Sequence, residues 1–200
     1  MPFNVEDFTG QIASLGLASP NKFQVDIYFP GLSRSEKSLN LMCESASIGG
    51  RTVQSMLDIQ YGVRREIAYG APQYTPLSLT FLCTEGMEQK TLLDEWNNKI
   101  VDATTATNPF NVAYYDDYKG TVKVKKLDKA GNQVLEVEYL DAWPKTVSQV
   151  DLSHATTNAT LRVTCEFSYS YWKTTTGSSS NYQSTTTTTT NVGNPLGYEP

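Results

Sequence analysis

Few side chains in this 200-residue sequence could carry chemistry. His154 is the only histidine, so a histidine-based metal cluster cannot form within one chain. Cys43, Cys83 and Cys165 form an odd set without CxxC or finger-like spacing, and each sits in an apolar, strand-like run. They read as small buried hydrophobes in a reducing compartment, with a disulfide between two of them as the alternative. Ser153 beside His154 and a distant aspartate can be written as a triad, but a chain of this length offers such a trio by chance. Asp116 and Asp117 are adjacent at the end of an apparent strand, which sends them to opposite faces and makes them poor partners for paired-carboxylate chemistry. The sequence holds no P-loop, no GxGxxG and no basic-aromatic interleaving of the single-strand-binding type. No catalytic, cofactor-binding or metal-ligating residue is assigned, and no cofactor is implied.

Composition points the same way. With 39% hydrophobic and 11% aromatic residues the chain can build one sizeable core, so one domain with appendages is expected. The formal charge of -5 lacks the basic surplus that drives phosphate-backbone binding, which argues against tight nucleic-acid association. Residues 1 to 17 carry Glu6 and Asp7 and no apolar run of signal-peptide length, and no stretch approaches a membrane span, so a soluble protein that folds where it is made is expected.

The elements that would position these groups are mostly strands. Val5, Phe8, Ile12 and Leu15 recur at helical spacing after a possible Asn4 cap and predict a short docking helix. Beyond Pro20, Phe23, Val25, Ile27 and Phe29 alternate with polar residues, which predicts a strand. Leu39, Leu41 and Cys43 continue the alternation in a second strand, and Ser45 to Leu57 reads as a long loop around Gly49 and Gly50. An extended stretch follows from Ile59 to Tyr69, then a strand through Leu77, Leu79, Phe81 and Cys83. Thr84 can cap one strong helix, about 85–101, with Glu85 and Glu88 in its first turn and an apolar stripe of Leu92, Leu93, Trp96 and Ile100.

After a Thr-rich loop over 103–108, Phe110, Val112 and Tyr114 resume period two. Val122 and Val124 match Leu135, Val137 and Tyr139 across a turn with Asp128, Gly131 and Asn132, a β-hairpin signature. Lys123 and Lys125 then oppose Glu136 and Glu138 on the polar side. Leu161 to Tyr171 alternates throughout and predicts the longest strand, which at ~3.3 Å per residue spans roughly 40 Å. Beyond Trp172 the composition changes to Thr, Ser, Gly and Asn, including the run Thr185 to Thr190. Alone, such a segment buries too little to offset its ordering entropy, so a neighbouring subunit is the simplest partner for it.

The order of these segments resembles the tail tube proteins of contractile-tailed phages (myoviruses). Asn21-Lys22-Phe23-Gln24-Val25-Asp26-Ile27 is similar to the family's first strand, and the stretch from Leu41 through Cys43 and Ala46 to the Gly49-Gly50 loop resembles the family too. The helix ending in Asp94-Glu95-Trp96 follows the family's strand-then-helix pattern, Ala142-Trp143-Pro144 with Val147 resembles its Trp-Pro turn, and Leu152 with the closing strand to Tyr171-Trp172 resembles its C-terminal end. Each motif is common; the specificity lies in their order over roughly residues 20 to 173. Family members often stop near Trp172, where this chain runs on to Pro200.

The resemblance implies a mainly β fold, an antiparallel β-barrel or sandwich with one flanking helix, related in fold to the type VI secretion inner-tube protein. The organisation expected is an N-terminal arm and short helix over 1–19, a barrel domain over 20–173 and a Thr/Ser-rich extension over 174–200. The function implied is that of a structural subunit, not an enzyme: hexameric rings whose strands join into a continuous inner barrel, stacked into a tube that conducts DNA during genome ejection. The partners implied are further copies of the chain, the tail sheath, the baseplate or tube initiator, and the tape measure and tail terminator proteins, with DNA passing without specific binding. The location implied is the virion, after assembly in the host cytoplasm. By the same analogy Ile48, Gly49, Gly50, Arg51, Thr52, Val53, Gln54, Ser55, Met56 and Leu57 are the candidate ring-stacking loop. Thr174, Asn181, Tyr182 and Tyr198 are candidate inter-protomer contacts in the tail. A ring of six carries six times the chain's -5, about -30, which repels DNA if part of it faces the lumen. The alternatives are an inner tube of a type VI secretion or other contractile injection system, a tube-initiator or baseplate protein of the same fold, and a capsid-decoration or adhesin module.

Overall fold

The computed structural model of the chain describes residues 4–29, 31, 37–60, 62–102, 110–155 and 159–176. Helix α1 (Val5–Leu15) starts at Asn4, whose side-chain oxygen accepts from the Glu6 N–H at 3.1 Å, the cap the sequence suggests. It ends at Gly16, whose positive φ of 71° lets its N–H reach the Ile12 carbonyl at 2.8 Å. The helix forms, but Val5 and Phe8 stay exposed rather than docking on the core.

Strand β1 (Phe23–Tyr28) buries Val25 and Ile27 and is followed by α2 (Lys37–Leu41). The strand expected from Leu39 to Cys43 is therefore a helix up to Leu41. Residues two apart lie on opposite sides of a helix, and Leu39 is fully buried while Leu41 is 82% exposed. Asn40 on α2 accepts from the Ile27 N–H at 2.8 Å and so caps the outer edge of β1.

The chain continues through β2 (Cys43–Ser47), β3 (Arg51–Thr52), β4 (Ser55–Gln60), β5 (Val63–Ala68), β6 (Gln73–Tyr74) and β7 (Leu77–Leu82) to α3 (Glu88–Ile100). Thr84 does not cap α3. Its N–H and hydroxyl bond the side-chain oxygen of Gln89 at 3.0 and 3.2 Å, and the Gln89 amide nitrogen donates to the Ser38 hydroxyl at 2.9 Å. Gln89 is fully buried, so its amide needs these partners, and the helix starts later, after Met87 in the left-handed region (φ 53°). Glu85 lies outside the helix as a result.

Next come β8 (Val101–Asp102), β9 (Asn111–Val112) and the short α4 (Tyr115–Tyr118). The strand expected through Phe110, Val112 and Tyr114 shrinks to two residues, with Phe110 at φ 67° and all three side chains exposed. The Thr-rich loop lies outside the described residues. Asp116 and Asp117 sit in the first turn of α4, not at a strand end.

Strands β10 (Gly120–Leu127), β11 (Gln133–Val147), β12 (Arg162–Ser168) and β13 (Tyr171–Thr176) complete the chain. The main sheet runs β1-β10-β11-β12-β7-β2, with β13 also on β11 and every pairing antiparallel. The β10/β11 hairpin has the register read from the sequence: Val122 opposite Tyr139, Lys123 opposite Glu138, Val124 opposite Val137 and Lys125 opposite Glu136.

The longest strand is β11, not the one from Leu161 to Tyr171. The chain breaks at Tyr169 and Ser170 because β11 turns a corner beside them, at Asp141 with φ 54°. The first half of β11 pairs with β13 through Leu140 opposite Tyr171, the second half with β12 through Trp143 opposite Ser168, and the Ser170 N–H bonds the Leu140 carbonyl at 3.1 Å. Trp143 and Pro144 thus lie inside β11 rather than in a turn.

The corner folds one sheet into two layers, β1-β10-β11-β13 and β11-β12-β7-β2, closed over an apolar core that includes Val25, Ile27, Leu77, Leu79, Phe81, Val124, Tyr139, Val163 and Phe167. The fold is mainly β and antiparallel, with α3 as the main flanking helix. Leu92, Leu93, Trp96 and Ile100 of α3 face this core as the sequence stripe predicts. Trp96 stacks on Phe29 at 4.5 Å between centroids, and its indole N–H donates to the Tyr118 carbonyl at 2.8 Å. Among the described residues no helix is long and apolar enough to cross a membrane.

Candidate assembly surface

The groups singled out for chemistry are dispersed. Burial pushes the Cys43 thiol up to about 12 and raises Cys165 and Cys83 as well, which keeps all three protonated and poorly nucleophilic near neutrality. All three are free thiols. His154 is exposed, and the Ser153 hydroxyl accepts from the Ala155 N–H at 3.3 Å. Among the described residues no three His, Cys, Asp or Glu side chains come close enough to hold a metal ion.

A protruding arm stands out instead. Among the described residues strands β4 and β5 pair only with each other, from Ser55 opposite Ala68 to Gln60 opposite Val63, and β3 and β6 form a shorter ladder at their base. Gly62, at φ 81°, supplies the left-handed conformation in the turn. Met56, Leu57 and Ile59 are each about half exposed, as are Val53 and Tyr69, and Ile67 is 40% exposed. Met56 is opposite Ile67 and Leu57 opposite Glu66, so apolar groups project from both faces of the ribbon. An isolated two-stranded ribbon is marginal in water, and this one holds itself by an Arg65–Asp58 ion pair at 3.0 Å and a hydroxyl bond from Ser55 to Glu66.

The root of the arm is tied to the body by several bonds. The Gly49 N–H donates to the Tyr139 phenol oxygen at 3.0 Å, and the Gly50 N–H to the Thr75 hydroxyl at 2.7 Å. The Thr75 N–H returns to the Gly50 carbonyl at 3.1 Å, and the Tyr169 hydroxyl donates to the Thr75 carbonyl at 2.7 Å. Tyr139, Tyr169 and Tyr74 pack in sequence at 4.8 and 5.8 Å between centroids. Arg51 lies over the Trp172 ring at 5.9 Å. Gly49 has no room for a side chain, since a Cβ there would lie 2.5 Å from the Tyr169 hydroxyl.

The residues proposed as a stacking loop therefore take several roles. Ile48, Gly49 and Gly50 form the root, Arg51 and Thr52 are β3, Val53 and Gln54 link, and Ser55, Met56 and Leu57 begin β4. What looks like a loop in the sequence is one side of a ribbon. The other side, Val63 to Ala68, lies in the extended stretch read from Ile59 to Tyr69, but its pairing with β4 and the tyrosine clamp were missed; Gly62 between two extended runs was the available signal for the hairpin. Of the tail candidates, Thr174 lies in β13 opposite Val137, while Asn181, Tyr182 and Tyr198 lie outside the described residues.

Comparison with known proteins bears on the fold and the family. The family model for the phage tail tube protein matches residues 18–175. No curated protein sequence matches the chain. Among solved structures, a chain of the anti-feeding prophage baseplate has a TM-score of 0.60 at 15% identity, covering 80% of this chain and 97% of that one. A chain of the sheath-tube complex of the extracellular contractile injection system PVC, in its extended state, has a TM-score of 0.58 at 17% identity, covering 84% and 97%. A chain of the anti-feeding prophage tube-terminating cap has a TM-score of 0.57 at 16% identity, covering 80% and 92%. At these identities the structures establish a shared fold, and the family match over residues 18–175 shows that the chain belongs to the phage tail tube protein family.

Proposed function

We propose that the chain is the repeating subunit of a phage tail tube, forming rings that stack through the β4/β5 arm into a hollow conduit for DNA during genome ejection. One observation carries the reading: an arm with exposed apolar side chains on both faces and no further strand partner among the described residues, its root bonded to the buried Tyr139. Such a ribbon is a cost to a lone chain and becomes stable when a second copy covers it. A contact between unlike surfaces of identical rings does not close on itself, so it extends a filament that other proteins must start and stop. Six chains per ring, a surrounding sheath, a baseplate or initiator, a tape measure and a terminator are the partners that the family resemblance supplies, and the virion is the corresponding location. Residues 177 to 200 are assigned to contacts with a neighbouring protomer, ring or sheath, since Thr174 to Thr176 of the expected extension are taken up in β13 beside β11 of the same chain.

The test replaces Met56, Leu57, Ile59 and Ile67 together by serine. These side chains are exposed, so the variant folds; it should remain as rings or monomers where the parent polymerises. Normal tubes from it in negative-stain microscopy would contradict the role of the arm. Deleting residues 50 to 57 is the harsher version, because it also removes the Gly50–Thr75 bonds.

A second reading is the inner tube of a non-phage contractile injection system. It is supported by the shared fold with chains of the anti-feeding prophage and PVC particles. The neighbouring genes, encoding a capsid or encoding only a contractile particle, distinguish the two.

A further inference from the structure

A second exposed apolar surface lies on the body of the chain, where β9 meets α4. Strand β9 is pinned beside the end of α3: the Phe110 N–H donates to the Asp102 carbonyl at 2.9 Å, and the Ala113 N–H to the Ile100 carbonyl at 3.0 Å. Alternation turns Ala113 inward and sends Val112 and Tyr114 outward, 61% and 85% exposed. Phe110 precedes them, 71% exposed at φ 67°, a backbone region uncommon for a bulky residue. Large apolar groups exposed together mark a contact surface. Tyr114 is also the N-cap of α4, and Asp117 follows three residues on, the spacing at which a cap and a first-turn side chain are neighbours. Asp116 pairs with Lys119 at 2.6 Å, whereas Asp117 has no side-chain partner among the described residues.

The arm carries the complementary set. Residues directly opposite in an antiparallel ribbon share a face, which puts Leu57 and Glu66 with Ile59 and Arg64 on one side. Asp58 and Arg65 pair with each other, and the Ser55 hydroxyl donates to Glu66. Arg64 is left without a partner among the described residues. Each surface thus combines exposed apolar groups with one unpaired charge, and the two charges are opposite in sign.

We infer that the β9/α4 surface is the seat for the arm of a copy in the next ring, with Leu57 and Ile59 on Val112 and Tyr114 and Arg64 on Asp117; the inference rests on the arm being the stacking element. Covering the apolar groups drives the contact, and the charge pair fixes its register and rejects misplaced copies. Arg64 is held there both by the carboxylate and by the neighbouring Tyr114 ring. Helix α1 is the competing seat, since Val5 is exposed and Glu6 and Asp7 are acidic. Each of those acids lies about 100° around the helix from the nearest residue of the apolar stripe, so a body covering the stripe leaves them at its margin. Asp117 stands next to Tyr114, so at the β9/α4 surface the charge falls inside the contact.

The test reverses the two charges. Arg64→Glu and Asp117→Lys, each alone, should raise the critical concentration for tube formation about three- to tenfold at low salt, and less at high salt, because exposed ion pairs are screened. The double variant should return to within about twofold of the wild type, since it rebuilds the pair with its signs exchanged; a double variant that is not restored overturns the inference. Position is read separately. Ile59→Cys and Val112→Cys chains are mixed, assembled and oxidised, and a two-chain disulfide absent from either variant alone and from the wild type is expected. Tubes that give no such adduct overturn the inference, as do tubes in which Ile59→Cys cross-links to Val5→Cys instead. In these cases the stacking role of the arm stands as long as the serine variant fails to polymerise. Tubes from the serine variant, or a wild-type chain that forms none, remove that role and the inference with it.

Discussion

The Gly49 N–H donates to the phenol oxygen of Tyr139 at 3.0 Å, joining the root of the arm to a fully buried residue of the central strand. Tyr139→Phe keeps the ring and removes the acceptor, so it should cost about 1 kcal/mol. Gly49→Ala should cost more, because the added Cβ would meet the Tyr169 hydroxyl at 2.5 Å and the Thr75 carbonyl at 3.1 Å. Urea unfolding checks both; an alanine variant as stable as the parent would show that the clamp is loose.

A second glycine tests the packing of α3. At Gly120 a Cβ would lie 2.6 Å from the Tyr28 backbone carbonyl on β1 and 2.9 Å from the ring of the fully buried Trp96. Gly120→Ala is expected to destabilise by about 1–3 kcal/mol or more. Gly10, inside α1 with nothing within 4 Å, provides the contrast: Gly10→Ala should stabilise by roughly 0.5–1 kcal/mol. Thermal midpoints should move in opposite directions.

Alkali should weaken the fold. Burial raises the Tyr139 phenol above its ordinary 10.0, with the Gly49 N–H bond offsetting part of that, and pushes Tyr169 up to about 12, as it does the Cys43 thiol. For groups whose folded pKa is raised, stability is fully present below the unfolded pKa and is lost as pH rises through the folded one. The thermal midpoint should thus fall progressively from about pH 9, the ordinary thiol value, to about pH 12. Tyr139→Phe should flatten part of that fall; an unchanged slope would count against its burial.

Acid acts on the ion pair between β1 and β10, Asp26 with Lys125 at 2.7 Å. Burial works to raise the Asp26 carboxyl, but the bonds from Lys125 and Gln24 and the charges of Lys125 and Lys123 outweigh it and hold the pKa below 3.8. With a depressed folded pKa, its contribution is present above 3.8 and is lost as pH falls through the lower folded value. Asp26→Asn should therefore cost stability at neutral pH and little in strong acid, a difference that urea titrations at the two pH values resolve.

Much of this architecture was legible because period two and period 3.6 leave separate marks. The β10/β11 register followed from Val122 and Val124 matching Val137 and Tyr139, and the inward face of α3 from Leu92, Leu93, Trp96 and Ile100. Where tertiary demands overrode local pattern, the sequence misled. Thr84 looks like a cap, but the buried Gln89 needs it; Leu39 and Leu41 alternate like a strand, but only Leu39 has a core to enter. The strand from Leu161 to Tyr171 alternates without interruption, and its break follows from the corner at Asp141 in another strand. The arm was half legible: Gly49 and Gly50 marked its root, but a ribbon exposed on both faces lacks the one-sided pattern that identifies a sheet strand. The tyrosines that clamp it come together only when the sheet folds over.

The most direct test of the account is electron microscopy of the purified full chain over a range of concentrations, with sizing in parallel. Rings with a central pore that stack into hollow tubes as concentration rises are the predicted result. A chain that stays monomeric at every concentration, even when supplied with preformed tube ends as seeds, would contradict it.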